Sequence, residues 1–119
     1  GFNEAVVIAV RGEPVHSKTV VRLQVNGAPT QPGDRLAVIG DCGELGKWDL
    51  SRARFLECIN SNTWFGELAF EENAGRAIGY KIVIFRANKK LGPVRENRTV
   101  RERLVPPGGT VKSRDEWEH

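Results

Sequence analysis

The stretch "VVRLQVNGAPTQPGDRLAVIG", Val20 to Gly40, reads as strand, turn, strand. Val21, Leu23 and Val25 alternate with Arg22, Gln24 and Asn26, the period of two that sets one face of an extended chain on a core and the other in water. "GAPTQPGD" breaks the pattern with two glycines and two prolines, which supply turn backbone angles and end ladders. "RLAVIG" is then a short buried run closed by Gly40.

The same grammar continues down the chain. "ARFLEC" follows, "TWFGELAF" alternates again, and "AIGYKIVIFR" is the longest β-branched and aromatic run before the turn "ANKKLGP". "RTVRERLV" and "TVKSR" supply the last strands on either side of "PPGG". No window longer than about ten residues carries an i, i+3, i+4, i+7 apolar face, so no substantial helix is expected. One short turn is expected near "DLSRA", with Asp49 or Ser51 as its N-cap. Seven or eight strands on short, turn-rich loops predict an all-β antiparallel sandwich or barrel.

At 119 residues, 39% hydrophobic and 28% charged, the chain has the size and composition of one folded domain. Residues 20–112 are expected to form it, with 1–19 as an N-terminal extension or extra edge strand and 113–119 as the start of a linker to a following domain. The chain contains no methionine and reads as a piece of something larger. Its longest apolar run, "AVVIAV", falls far short of the roughly 20 residues of a membrane span, so no membrane partner is expected. Cys42 and Cys58 lack metal-ligand spacing and are too few for a disulfide framework. They are expected to be one loop thiol and one half-buried thiol, in an intracellular setting, cytoplasm or plastid.

Catalysis finds no support. His16 and His119 lie near no candidate nucleophile in sequence, and the carboxylates Asp41, Glu44 and Asp49 share one short loop instead of flanking a cleft. The glycines of "GDCGELG" lack the lysine and hydroxyl of a phosphate-binding loop, so they serve turning. No catalytic residue, metal or cofactor is expected.

Charge is uneven. Between Arg76 and Arg103 nine basic residues face only Glu96 and Glu102, in a chain whose net charge is +3. Arg95 and Arg98 are the candidate bidentate anion donors of that segment. Nucleic acid is not the expected partner, because only Tyr80 and Phe85 interleave the basic run.

Four features in order, "GDCGELGKWD", "TWFGEL", "GYKIVIF" and "ENRTV", resemble the family 20 carbohydrate-binding modules, the starch-binding domains of amylases, glucoamylases, glucan dikinases and several glycogen-associated proteins. The likeness runs from about Val20 to about Lys112. It implies an immunoglobulin-like β-sandwich of seven or eight strands that binds α-1,4-glucan or maltooligosaccharide, without catalysis, beside a covalently linked catalytic domain. It also implies that Trp48 stacks on glucose rings while Lys81 and Asn97 hydrogen-bond to them. Glu44, with Leu45, shapes the loop and is counted with the carbohydrate-binding set. The chemistry is sound on its own terms: a flat indole meets the C–H face of a pyranose, and lysine and amide groups meet the rim hydroxyls.

The family's second platform tryptophan, five residues before the asparagine, falls on Gly92 here, within "KKLGPVRENR". The tyrosines of its second site are also missing, since Tyr80 is the chain's one tyrosine. Trp64 is expected in the core, and Tyr80 and Phe85 in it or half-buried. The alternative function is a β-sandwich interaction or regulatory domain with a degenerate sugar site, whose basic face binds a phosphorylated sugar or an acidic partner.

Overall fold

The computed structural model describes residues 18–60 and 62–119. The extra edge strand expected before Lys18 lies outside the described residues. Nine strand segments follow: β1 (Thr19–Asn26), β2 (Arg35–Gly40), β3 (Arg54–Phe55), β4 (Glu57–Asn60), β5 (Thr63–Phe70), β6 (Ala77–Phe85), β7 (Val94–Arg95), β8 (Arg101–Leu104) and β9 (Gly109–Glu116). β3 and β7 are two-residue pieces, which leaves seven strands of ordinary length. The only helical turns among the described residues are short 3-10 segments at Gly43–Trp48 and Leu50–Arg52.

Two sheets face each other as an immunoglobulin-like sandwich. One has the order β4-β5-β1-β9; the other runs β3-β2-β6, with β7 and β8 both paired to the far edge of β6. The alternation read from the sequence sets the register: Val21, Leu23 and Val25 of β1 face inward opposite Leu68, Gly66 and Trp64 of β5. From the other sheet Leu36, Val38, Ile82 and Ile84 complete the core, none of them exposed. Burying each such side chain contributes about 1.5–3 kcal/mol, which is why the pattern decides the fold. Trp64 and Tyr80 join the core as expected, and Phe85 is half-buried.

Among the described residues every pairing is antiparallel except one. β1 and β9 run parallel over their full length, Thr19 beside Gly109 and Asn26 beside Glu116.

Both ends of the expected domain need correction. Thr19, assigned to the extension, opens β1 and is fully buried. Residues 113–119, expected as a linker, instead carry β9 on to Glu116 and place Trp117, 6% exposed, in the core. The inward positions there, Ser113 and Asp115, are polar, so the apolar alternation that marks a strand is absent. Asp115 tolerates burial because the Tyr80 hydroxyl donates to it at 2.6 Å and Arg103 at 3.1 Å.

Candidate functional site

The loop from Asp41 to Ala53 leaves β2 at Gly40 and returns into β3. Leu45, 1% exposed, anchors it in the core. Gly40 makes that anchoring possible: a Cβ there would stand 2.7 Å from Leu45 Cδ1 and 2.6 Å from the Gly79 carbonyl. Gly46 turns the chain at φ +86, where a Cβ would also meet the Arg52 carbonyl at 2.8 Å. Lys47 and Trp48 follow at φ 49 and 65, left-handed conformations that cost non-glycine residues about 1–2 kcal/mol each. Hydrogen bonds hold the segment there, Lys47 N–H to the Cys42 carbonyl at 3.0 Å and Asp49 N–H to the Gly46 carbonyl at 2.9 Å. Trp48 is left 42% exposed.

Glu44 is a clamp. Its Oε2 accepts the Glu71 and Asn73 N–H groups, each at 3.1 Å, and its Oε1 accepts the Asn73 side-chain amide at 2.6 Å. Burial alone would raise its pKa, yet these hydrogen bonds outweigh it and hold the carboxyl below its usual value. The partners lie 27 and 29 residues away, beyond any local pattern. Asp49 caps the second 3-10 turn as expected, its Oδ1 accepting the Ser51 hydroxyl at 2.8 Å and N–H at 3.0 Å, and these bonds lower its pKa. The third carboxylate of the loop, Asp41, stands beside Gly79. No group of three or more potential metal ligands occurs among the described residues.

Of the two thiols, the loop cysteine is the buried one, reversing the expected order; Cys58 on β4 is exposed. Desolvation, with Glu44 and Asp41 adding repulsion, pushes the Cys42 thiol above its usual value.

Lys81 stands opposite Ile39 on β6, next to the Gly40–Tyr80 pair from which the loop springs. Asn97 is brought to the same level of the sheet, because the adjacent Glu96 bonds to both the N–H and the carbonyl of Ile82. No hydrogen bond among the described residues joins Trp48, Lys81 and Asn97. The Asn97 amide donates to the carbonyl of His119 at 3.2 Å, and its N–H to that of Glu118 at 2.9 Å. Below it lies an ion pair with Glu96 and Arg101 side chains 0% and 10% exposed, joined at 2.7 and 2.8 Å. Arg95 and Arg98 are exposed, and Arg98 Nε donates to the Thr99 carbonyl.

One aromatic was missed. Phe55 of β3 is 40% exposed and packs on Phe85, ring centroids 5.2 Å apart. The signal was present in "RFLEC", where Phe55 and Leu56 are consecutive and only one of them can face the core.

A sandwich whose loop holds an exposed tryptophan on its surface presents a flat platform for binding. The profile of a family described as "Starch binding domain" matches residues 18–114. The chain belongs to that family and is an α-glucan-binding module. Solved structures agree on the fold. A glycoside hydrolase family 15 glucoamylase from Hypocrea jecorina matches with a TM-score of 0.77 at 24% identity, over 87% of this chain and 18% of the glucoamylase. A γ-CGTase from alkalophilic Bacillus clarkii matches with a TM-score of 0.73 at 24% identity, over 86% and 15%. The family 20 module of the maltotetraose-forming amylase from Pseudomonas saccharophila STB07 matches with a TM-score of 0.63 at 22% identity, over 80% of this chain and 98% of that module. The chain thus spans less than a fifth of the first two enzymes. No match was found among curated protein sequences.

Proposed function

We propose that the module grips α-1,4-glucan through Trp48, with Lys81 and Asn97 meeting the hydroxyls at the ring edge and Glu44 acting from beneath as the clamp that sets the loop. The observation that carries this reading is Trp48 itself, exposed on a backbone that is strained in order to hold it there. A folded chain keeps such strain where surrounding contacts over-determine it, commonly at a ligand clamp. An open platform of one indole supports affinities of micromolar to millimolar, roughly 4–8 kcal/mol. A polymeric ligand, or a covalently linked catalytic domain working on the same chain, adds avidity.

The test is a titration with a cyclic maltooligosaccharide, followed by tryptophan fluorescence and calorimetry. Native protein binds independently of salt and Trp48→Ala loses at least tenfold, with little change in stability because the indole is largely outside the core. Absence of binding to millimolar sugar overturns the reading.

A further inference from the structure

The outer face of the second sheet carries a feature that the Trp48 platform does not use. Along β6, Lys81, Val83 and Phe85 alternate away from the core, and Ile39, Ala37 and Arg35 of β2 stand beside them in register. The middle of this strip is dry: Ile39, Ala37 and Val83 are almost wholly buried although none belongs to the main core cluster. At its far end Phe55, paired with Ala37, leans on Phe85, and the Arg35 guanidinium carbon lies 3.7 Å from the centre of the Phe55 ring. Leu91 and Pro93, the neighbours of Gly92, close the opposite wall of a groove of about 370 Å³.

Two properties of the groove identify its occupant. The rings of Phe55 and Phe85 and the exposed Leu91 make an apolar surface that suits a pyranose face. The charged residues lining it are Arg35, Arg86 and Lys89, with no carboxylate among the lining. Arg86 is spent on Asp34 at 2.7 Å. Arg35, laid over Phe55, is held by cation–π attraction and keeps its in-plane N–H donors for a bidentate acceptor. Neutral glucose needs no such cations, whereas a phosphate monoester brings a charge of about −1.5 to −2 to meet them. Lys81 and Phe85 are four residues apart on an extended strand, about 13 Å, so a glucan chain seated at Trp48 and Lys81 has only that distance to cover, over the side chains that bury the strip, to reach the groove.

We infer that this groove is a subsite for a phosphate-bearing α-glucan, its aromatic floor taking a sugar ring and Arg35 with Lys89 taking the phosphate. The inference rests on the glucan-binding reading and names the form of glucan it favours.

Calorimetry on the 119-residue chain with maltoheptaose and with maltoheptaose carrying a 6-phosphate ester tests it. The phosphorylated ligand binds about tenfold tighter at low salt, and the advantage shrinks as salt is added. Arg35→Gln and Lys89→Gln each reduce the ratio, and the double variant brings it to about one. Lys89 is exposed in a turn, so its variant keeps the test open should Arg35→Gln disturb β2. Equal affinities in the native chain, with both lost in Trp48→Ala, overturn the phosphate subsite and leave the glucan reading standing. A preference that survives in the double variant overturns the assignment to this groove. No binding of either ligand overturns the glucan reading and this inference with it.

Discussion

Gly92 occupies the place of the missing second tryptophan, and the structure says that it can be put back. A Cβ built on Gly92 meets nothing within 4 Å, and its backbone is outside the left-handed region that would strain a side chain. A side chain can therefore leave the backbone at Gly92 without a clash at its Cβ, and replacing a glycine stabilises by about 0.4–1 kcal/mol through the unfolded chain. An indole carries about 150–250 Å² of surface. If a sugar ring covers about a third of that at about 25 cal/mol/Å², the gain is about 1.5 kcal/mol, roughly tenfold in Kd. Calorimetry with a cyclic maltooligosaccharide reads it directly. The same substitution in a Trp48→Ala background completes a double-mutant cycle: two rings gripping one ligand show a coupling energy, whereas independent surfaces do not. A folded Gly92→Trp protein with unchanged Kd would refute the reach of a bound glucan from Trp48 to the groove wall at Leu91 and Pro93.

Three further outcomes follow from the polar contacts. Glu96→Ala removes the main partner of the Arg101 guanidinium, leaving it Asp115 at 3.5 Å and the Glu116 carbonyl, and costs about 3 kcal/mol in urea denaturation, whereas Glu96→Gln with Arg101→Met together cost less; similar losses for both would show that the pair is not buried. Glu44→Ala lowers stability by about 1–2 kcal/mol at neutral pH. Because folding depresses the Glu44 pKa, that contribution is complete above the ordinary value of 4.5 and fades as pH falls through the folded-state value, so the native and variant curves converge in acid. Tyr80 is the chain's one tyrosine, and burial, reinforced by its hydrogen bond to Asp115, pushes its phenol up to about 12. A raised pKa favours the fold below about 10 and loses that support as pH climbs toward 12, so ultraviolet titration should show phenolate appearing near 12 and coinciding with loss of structure; ionisation near 10 in the folded protein would contradict the contact.

Most strands were legible because their inward positions are apolar and their outward ones polar, as Val21, Leu23 and Val25 show against Arg22 and Gln24. The end of β9 was not, since its inward Asp115 is made tolerable by Tyr80 and Arg103, which no local pattern reveals. Nor does alternation choose neighbours, so the parallel pairing of β1 with β9 was invisible. At the site, the tryptophan loop could be read from its own residues. The clamp on Glu44 could not, because its partners sit on the far side of β5 in sequence, and the Arg35, Phe55 and Phe85 cluster is assembled from three separate strands.

That parallel pair has a mechanical consequence. The chain enters β1 at Thr19 and leaves β9 at Glu116, at opposite ends of one two-strand ribbon, roughly 23 Å apart along the strand axis. Tension applied through the two ends pulls the strands past each other, so the ladder bonds, lying across the direction of pull, bear the load together instead of opening one at a time. Anchored to a solid polymer on one side and to any moving body on the other, this module would hold under shear until the whole β1–β9 ribbon gave way.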